Sequence, residues 1–126
     1  MDALQHRIQA LHPRAEALCA ALRSEAERVF GAEAAPGCTL KTAVFRLERD
    51  PASGADSLVG EWQDEHGHRI GMLVLHPDGG CFGEFDLVRM HPHKPGWFVE
   101  AVEAWAGAAA HGNDAVCADL RLLAAP

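Results

Sequence analysis

Three turn clusters cut residues 39–90 into four short runs, and this punctuation constrains the fold more than any other feature. Residues 39–48 are rich in β-formers and stop at Asp50-Pro51-Ala52-Ser53-Gly54. Residues 57–63 follow and close at Asp64-Glu65-His66-Gly67. Residues 69–76 are apolar on both faces, as a central strand is, and Pro77-Asp78-Gly79-Gly80 ends them. Residues 81–90 make the fourth run. Strands joined by turns this short predict a four-stranded antiparallel meander over 38–90.

The first thirty residues have a different period. Leu4, Ile8, Leu11, Ala15, Leu18 and Leu22 alternate steps of four and three, and Glu25 then breaks the strict heptad. The stripe continues through Ala26 and Val29 as an ordinary amphipathic helix would. Asp2 is suited to cap its start and Gly31 its end. Pro13 lies inside the pattern, so the sequence predicts a kinked pair of helices, 3–11 and 13–30.

After the sheet, Pro95 suits a first helical turn, and Trp97, Phe98, Ala101, Val102 and Trp105 fall on one helical stripe. The expectation is a second helix over 95–107 with these aromatics in the core. Residues 108–114 read as a flexible link. For residues 116–123 the pattern fits a short C-terminal strand or a last helical turn equally well. Together these elements predict one α+β domain spanning 1–126, a two-layer sandwich with helical segment 1–30 and helix 95–107 on one face of sheet 38–90 and a tail over 108–126.

Charge narrows the function classes. Eleven Lys and Arg stand against eighteen Asp and Glu, a formal net charge of −7, and the cations do not cluster. Such a surface disfavours nucleic acid and anionic membrane. No apolar run approaches the ~20 residues of a membrane span, and the start lacks the look of a signal peptide. Cys19, Cys38, Cys81 and Cys117 lack Cys-x-x-Cys spacing and read as reduced thiols. The expectation is a cytoplasmic protein.

Candidate chemistry is sparse. His66-Gly67-His68 and His91-Pro92-His93 fall at the same end of the expected meander, with His68 level with residues 89–91. Imidazoles from both segments would then converge on zinc or another transition metal, with His68, His91 and His93 as ligands and His66 as a fourth. Glu84 and Asp86 share one strand face with Phe82 and Val88, either as an acid–base pair or as a solvated face pairing with an arginine such as Arg46. Glu61 is a third acid in reach of that face. His76 and Asp78 lack a nearby nucleophile. Gly79-Gly80-Cys81-Phe82-Gly83 lies between two strands and has neither P-loop nor dinucleotide spacing. No family with an assigned activity is recognisable in these residues.

Two function classes follow. The first is a small acidic interaction protein whose partner is itself or another protein. A homodimer is expected because the stripe from Leu4 to Val29 exceeds what one sheet face needs. The alternative is a metal-binding protein or enzyme built on the histidine end of the sheet.

Overall fold

In the computed structural model, which describes residues 1–108 and 116–124, the N-terminal stripe forms one unbroken helix, α1 (Ala3–Phe30). Asp2 and Gln5 cap it reciprocally: the Asp2 carboxylate accepts the Gln5 N–H at 2.8 Å, and the Gln5 side chain accepts the Asp2 N–H at 3.1 Å. Pro13 does not divide it. Pro13 and Gln9, whose carbonyl loses its amide partner, both lie on the exposed face, where that carbonyl is open to solvent and the lost bond costs least. Packing on the opposite face holds the helix continuous. Ala15, Leu18, Cys19, Leu22, Ala26 and Val29 are buried there.

A short 3-10 turn (Leu40–Thr42) leads into six strands. These are β1 (Val44–Arg49), β2 (Asp56–Gln63), β3 (Arg69–Leu75), β4 (Cys81–Met90), β5 (Trp97–Ala106) and β6 (Cys117–Ala124). They pair antiparallel in chain order in one sheet. The α+β class with an antiparallel sheet stands, but the four-stranded meander with a second helix does not.

The expected helix over 95–107 is β5. Its residues after Ala101 alternate as a strand should, with Val102, Ala104 and Ala106 buried against Glu103 and Trp105. A register shift between Val99 and Ala101 adds one residue to the strand. That single slip spaces the inward-facing Val99 and Val102 by three, as on a helix, inside a strand otherwise of period two. The aromatics consequently leave the core: Trp97 and Trp105 are 42% and 41% exposed, and Phe98 is only half-buried. Residues 116–123, ambiguous in the sequence, supply β6, and β5 becomes an interior strand. The link expected over 108–114 falls, from residue 109 onward, outside the described residues.

The core lies between α1 and one sheet face. Leu18 and Leu22 share one buried cluster with Leu58, Leu73, Leu75 and Val102. Trp62 is the buried indole. It packs edge-on to Phe85 at 5.4 Å and donates its Nε1–H to the Thr39 carbonyl at 2.9 Å. Glycines on three neighbouring strands make space for this layer. A Cβ at Gly71 would stand 2.6 Å from the Glu84 carbonyl oxygen and 2.9 Å from the Trp62 ring, and one at Gly83 would stand 2.8 Å from Leu73. Among the described residues, no helix is long and apolar enough to cross a membrane.

Gly71→Ala should lower stability by about 1–3 kcal/mol, because the obstructing atom is backbone and cannot rotate away. Urea denaturation would read this as a lower midpoint at unchanged slope; an unchanged midpoint would contradict the close approach.

Candidate functional site

Strand alternation sends every second residue to the face that α1 does not cover. Cross-strand register orders these residues into rows. Val59, Val74, Phe82 and Trp105 lie side by side across β2 to β5, an apolar row. Nearer the other end, Met90, Phe98 and Leu123 make a second apolar row across β4 to β6. Between the two runs a charged row: Glu61, Met72, Glu84, Glu103 and Asp119. Met90, Trp105 and Leu123 are all exposed.

The charged row places Glu84 opposite Glu103, and Glu103 opposite Asp119. Like charges facing each other across strands repel, so a cation must sit among them. Arg121 is that cation. Its Nε donates to Glu100 at 2.8 Å, and its Nη1 donates to Glu84 at 3.1 Å and also to Glu103. The bulge in β5 is what turns Glu100 toward it. Partial burial disfavours the charged guanidinium, but the three carboxylates outweigh this and hold its pKa well above the usual value. Asp86 lies beside this cluster with no ion pair of its own among the described residues. Partial burial first, and Glu84 second, push its carboxyl upward, against smaller opposing effects of Arg121 and Arg69.

Arg46 serves other acids. It bridges Glu61 at 3.0 Å and Glu48 at 3.1 Å on the β1–β2 side. The sequence placed Glu84 and Asp86 on one face correctly but offered Arg46 as their partner; the partner of Glu84 is Arg121. Val88 leaves that face's regular alternation, because a register shift between Asp86 and Arg89 gives it a positive φ of 38°. Glu100 and Glu103 were hidden by the helix expected over β5, and Arg121 by the undecided state of residues 116–123. The visible signal was the alternation Val102-Glu103-Ala104-Trp105-Ala106.

The two histidine pairs do sit at one end of the sheet, yet each is occupied locally. The Asp64 carboxylate accepts the His66 and His68 amides at 2.8 and 2.9 Å, and those bonds, His68 foremost, lower its pKa. His68 Nδ1 lies 3.6 Å from the same carboxylate. On the other side, His91 Nδ1 accepts the His93 amide at 3.0 Å, and the His91 ring lies 6.5 Å from Phe30. Partial desolvation, followed by the nearby Lys94, His93 and Arg28, lowers the His91 pKa. Cationic surroundings of that kind oppose a metal ion. Among the described residues no three His, Cys, Asp or Glu side chains gather as a metal site.

No family model, curated protein or solved structure proved similar to this chain. The geometry of the open face therefore carries the functional reading.

Arg121→Ala should destabilise the fold by about 1 kcal/mol at pH 7, a value discounted for solvent screening. The loss should shrink at high salt, which screens these partly exposed ion pairs. Asp86→Asn should have the opposite sign. A carboxyl whose folded pKa is raised favours the native state below its unfolded value of about 3.9, and that advantage is lost as pH rises through the folded pKa. Asn should therefore raise the urea midpoint at pH 7 and leave it unchanged near pH 3. A loss on Asp86→Asn at pH 7 would contradict this electrostatic picture.

Proposed function

We propose that this is an acidic interaction protein of the cytoplasm that binds a cationic, apolar segment of another protein on its open sheet face. One observation carries the reading. On the outer face of β4–β6, five acids, Glu84, Asp86, Glu100, Glu103 and Asp119, stand beside Arg121, which pairs with Glu84, Glu100 and Glu103, and a partly exposed apolar row lies on either side. Excess acid between two apolar rows complements a partner whose lysines or arginines alternate with leucine or phenylalanine. The four unpaired thiols, three of them buried, suit a reducing compartment.

The α1 stripe is not this docking surface. The surplus that suggested a dimer through the helix is absorbed in cis, since Leu4, Ile8 and Leu11 also pack against the protein's own core. The metal alternative finds no ligand set among the described residues and is not carried forward.

Trp105 reports directly on the face. In a Trp97→Phe background, a synthetic peptide alternating lysine with leucine should shift Trp105 emission saturably, and added salt should weaken the binding. The same peptide with glutamate in place of lysine should leave the emission unchanged. Phe82→Glu should reduce affinity for the basic peptide at least tenfold. Equal responses to both peptides, or none to either, would overturn the reading.

A further inference from the structure

The two edges of the sheet are unequally protected. At one edge, β1 is short, carries Arg46, Glu48 and Arg49, and is followed by Pro51. Charges of this density discourage another strand from pairing. At the other edge, β6 is longer and contains Leu120, Leu122 and Leu123 with only Asp119 and Arg121 charged. Among the described residues nothing pairs with its outer side.

From this edge we infer that β6 pairs antiparallel with β6 of a second copy, joining two sheets into one of twelve strands. This inference is independent of what the open face binds. The Leu120 amide donates to its own neighbour's side chain, Asp119 Oδ1, at 2.8 Å, so it points away from β5. By alternation Ala118 and Leu122 also present their N–H and C=O outward. A two-fold axis for an antiparallel strand pair is normal to the sheet and keeps both helices on one side. Residues of the same orientation must then meet, which leaves three central registers.

Charge chooses among them. Centring the axis on Asp119 sets two carboxylates against each other, and centring it on Arg121 sets two guanidinium groups together. Centring it on Leu120 places Asp119 opposite the second copy's Arg121, twice over. The Arg121 Nη2 is used by none of its three carboxylate bonds and is left to receive that contact. In the same register Leu120 faces Leu120, and Ala118 faces Leu122. Three such hydrogen-bonded pairs give roughly six backbone bonds, the Leu120 N–H exchanging the Asp119 carboxylate for the facing Leu120 carbonyl and so releasing that carboxylate to the second copy's Arg121. On the helix side, a shallow groove between α1 and β6 is lined by Ala21, Ser24, Glu25, Arg28, Val116 and Ala118.

The register makes a covalent prediction. Leu123 stands opposite the second copy's Cys117 in a non-hydrogen-bonded pair with Cα atoms about 4.5 Å apart, within disulfide range. The two native Cys117 residues lie six positions out of step, about 20 Å apart. Both positions are exposed, so Leu123→Cys should not disturb folding. Sedimentation of the unaltered protein at micromolar concentration should give twice 13.5 kDa. On mild air oxidation, Leu123→Cys should run as a dimer on a non-reducing gel, and the unaltered protein should not. Asp119→Arg, with its far-ultraviolet dichroism unchanged, should halve the sedimenting mass. A monomeric mass for the unaltered protein would overturn the inference. So would a dimer that Leu123→Cys fails to cross-link, or one that Asp119→Arg leaves intact.

Discussion

The seating of α1 on one face of the sheet is the interaction on which everything else depends. Leu18 and Leu22 are fully buried, Leu22 directly over Gly83, and each leucine removed from water contributes about 1.5–3 kcal/mol. Close approach demands a floor without side chains at key points, and Gly60, Gly71 and Gly83 provide it on three adjacent strands. Phe45, Trp62 and Phe85 then fill the space between helix and sheet. A single helix satisfies this face from end to end. The chain has no second helix among its described residues to cover the opposite face.

That asymmetry turns the outer face into the functional surface. Its rows are apolar, charged and apolar, and the charged row is stabilised through one arginine held by three glutamates. A sheet covered on one side must keep its other side compatible with water, and the charged row meets that need while still leaving Trp105, Met90 and Leu123 uncovered. The same bulge that disguised β5 as a helix turns Glu100 toward Arg121. Local irregularity and the charge cluster are thus one feature.

The sequence was most legible where turn chemistry and period agree. The turns at residues 50–54, 64–67 and 77–80 delimit β2 and β3 nearly to the residue, because Asp, Gly and Pro there satisfy backbone needs locally. Asp64 accepting the His66 and His68 amides is one case. Legibility failed where tertiary context overrode a local pattern. Pro13 is a helix breaker only if its missing bond lies in a dry place, and here it lies toward water. The Trp97-to-Trp105 stripe fitted a helix on apolar spacing alone, although in β5 its members alternate between faces, Val102 buried and Trp105 exposed. Glu84 and Asp86 could be placed on one face from alternation alone, but Arg121 could not be matched to them without β5 and β6 as neighbours. The histidine pairs fall at one sheet end, each tied to its own turn, and among the described residues no three metal-ligating side chains gather.

The sheet has one covered face and one open face, and the indoles distinguish the two. Acrylamide quenching of variants retaining only Trp62 or only Trp105 measures this directly. Trp105 should quench almost as freely as indole in water, with red-shifted emission, and Trp62 should be blue-shifted and protected. Equal protection of the two would mean that β5 packs inward, and the one-helix, open-faced architecture would be wrong.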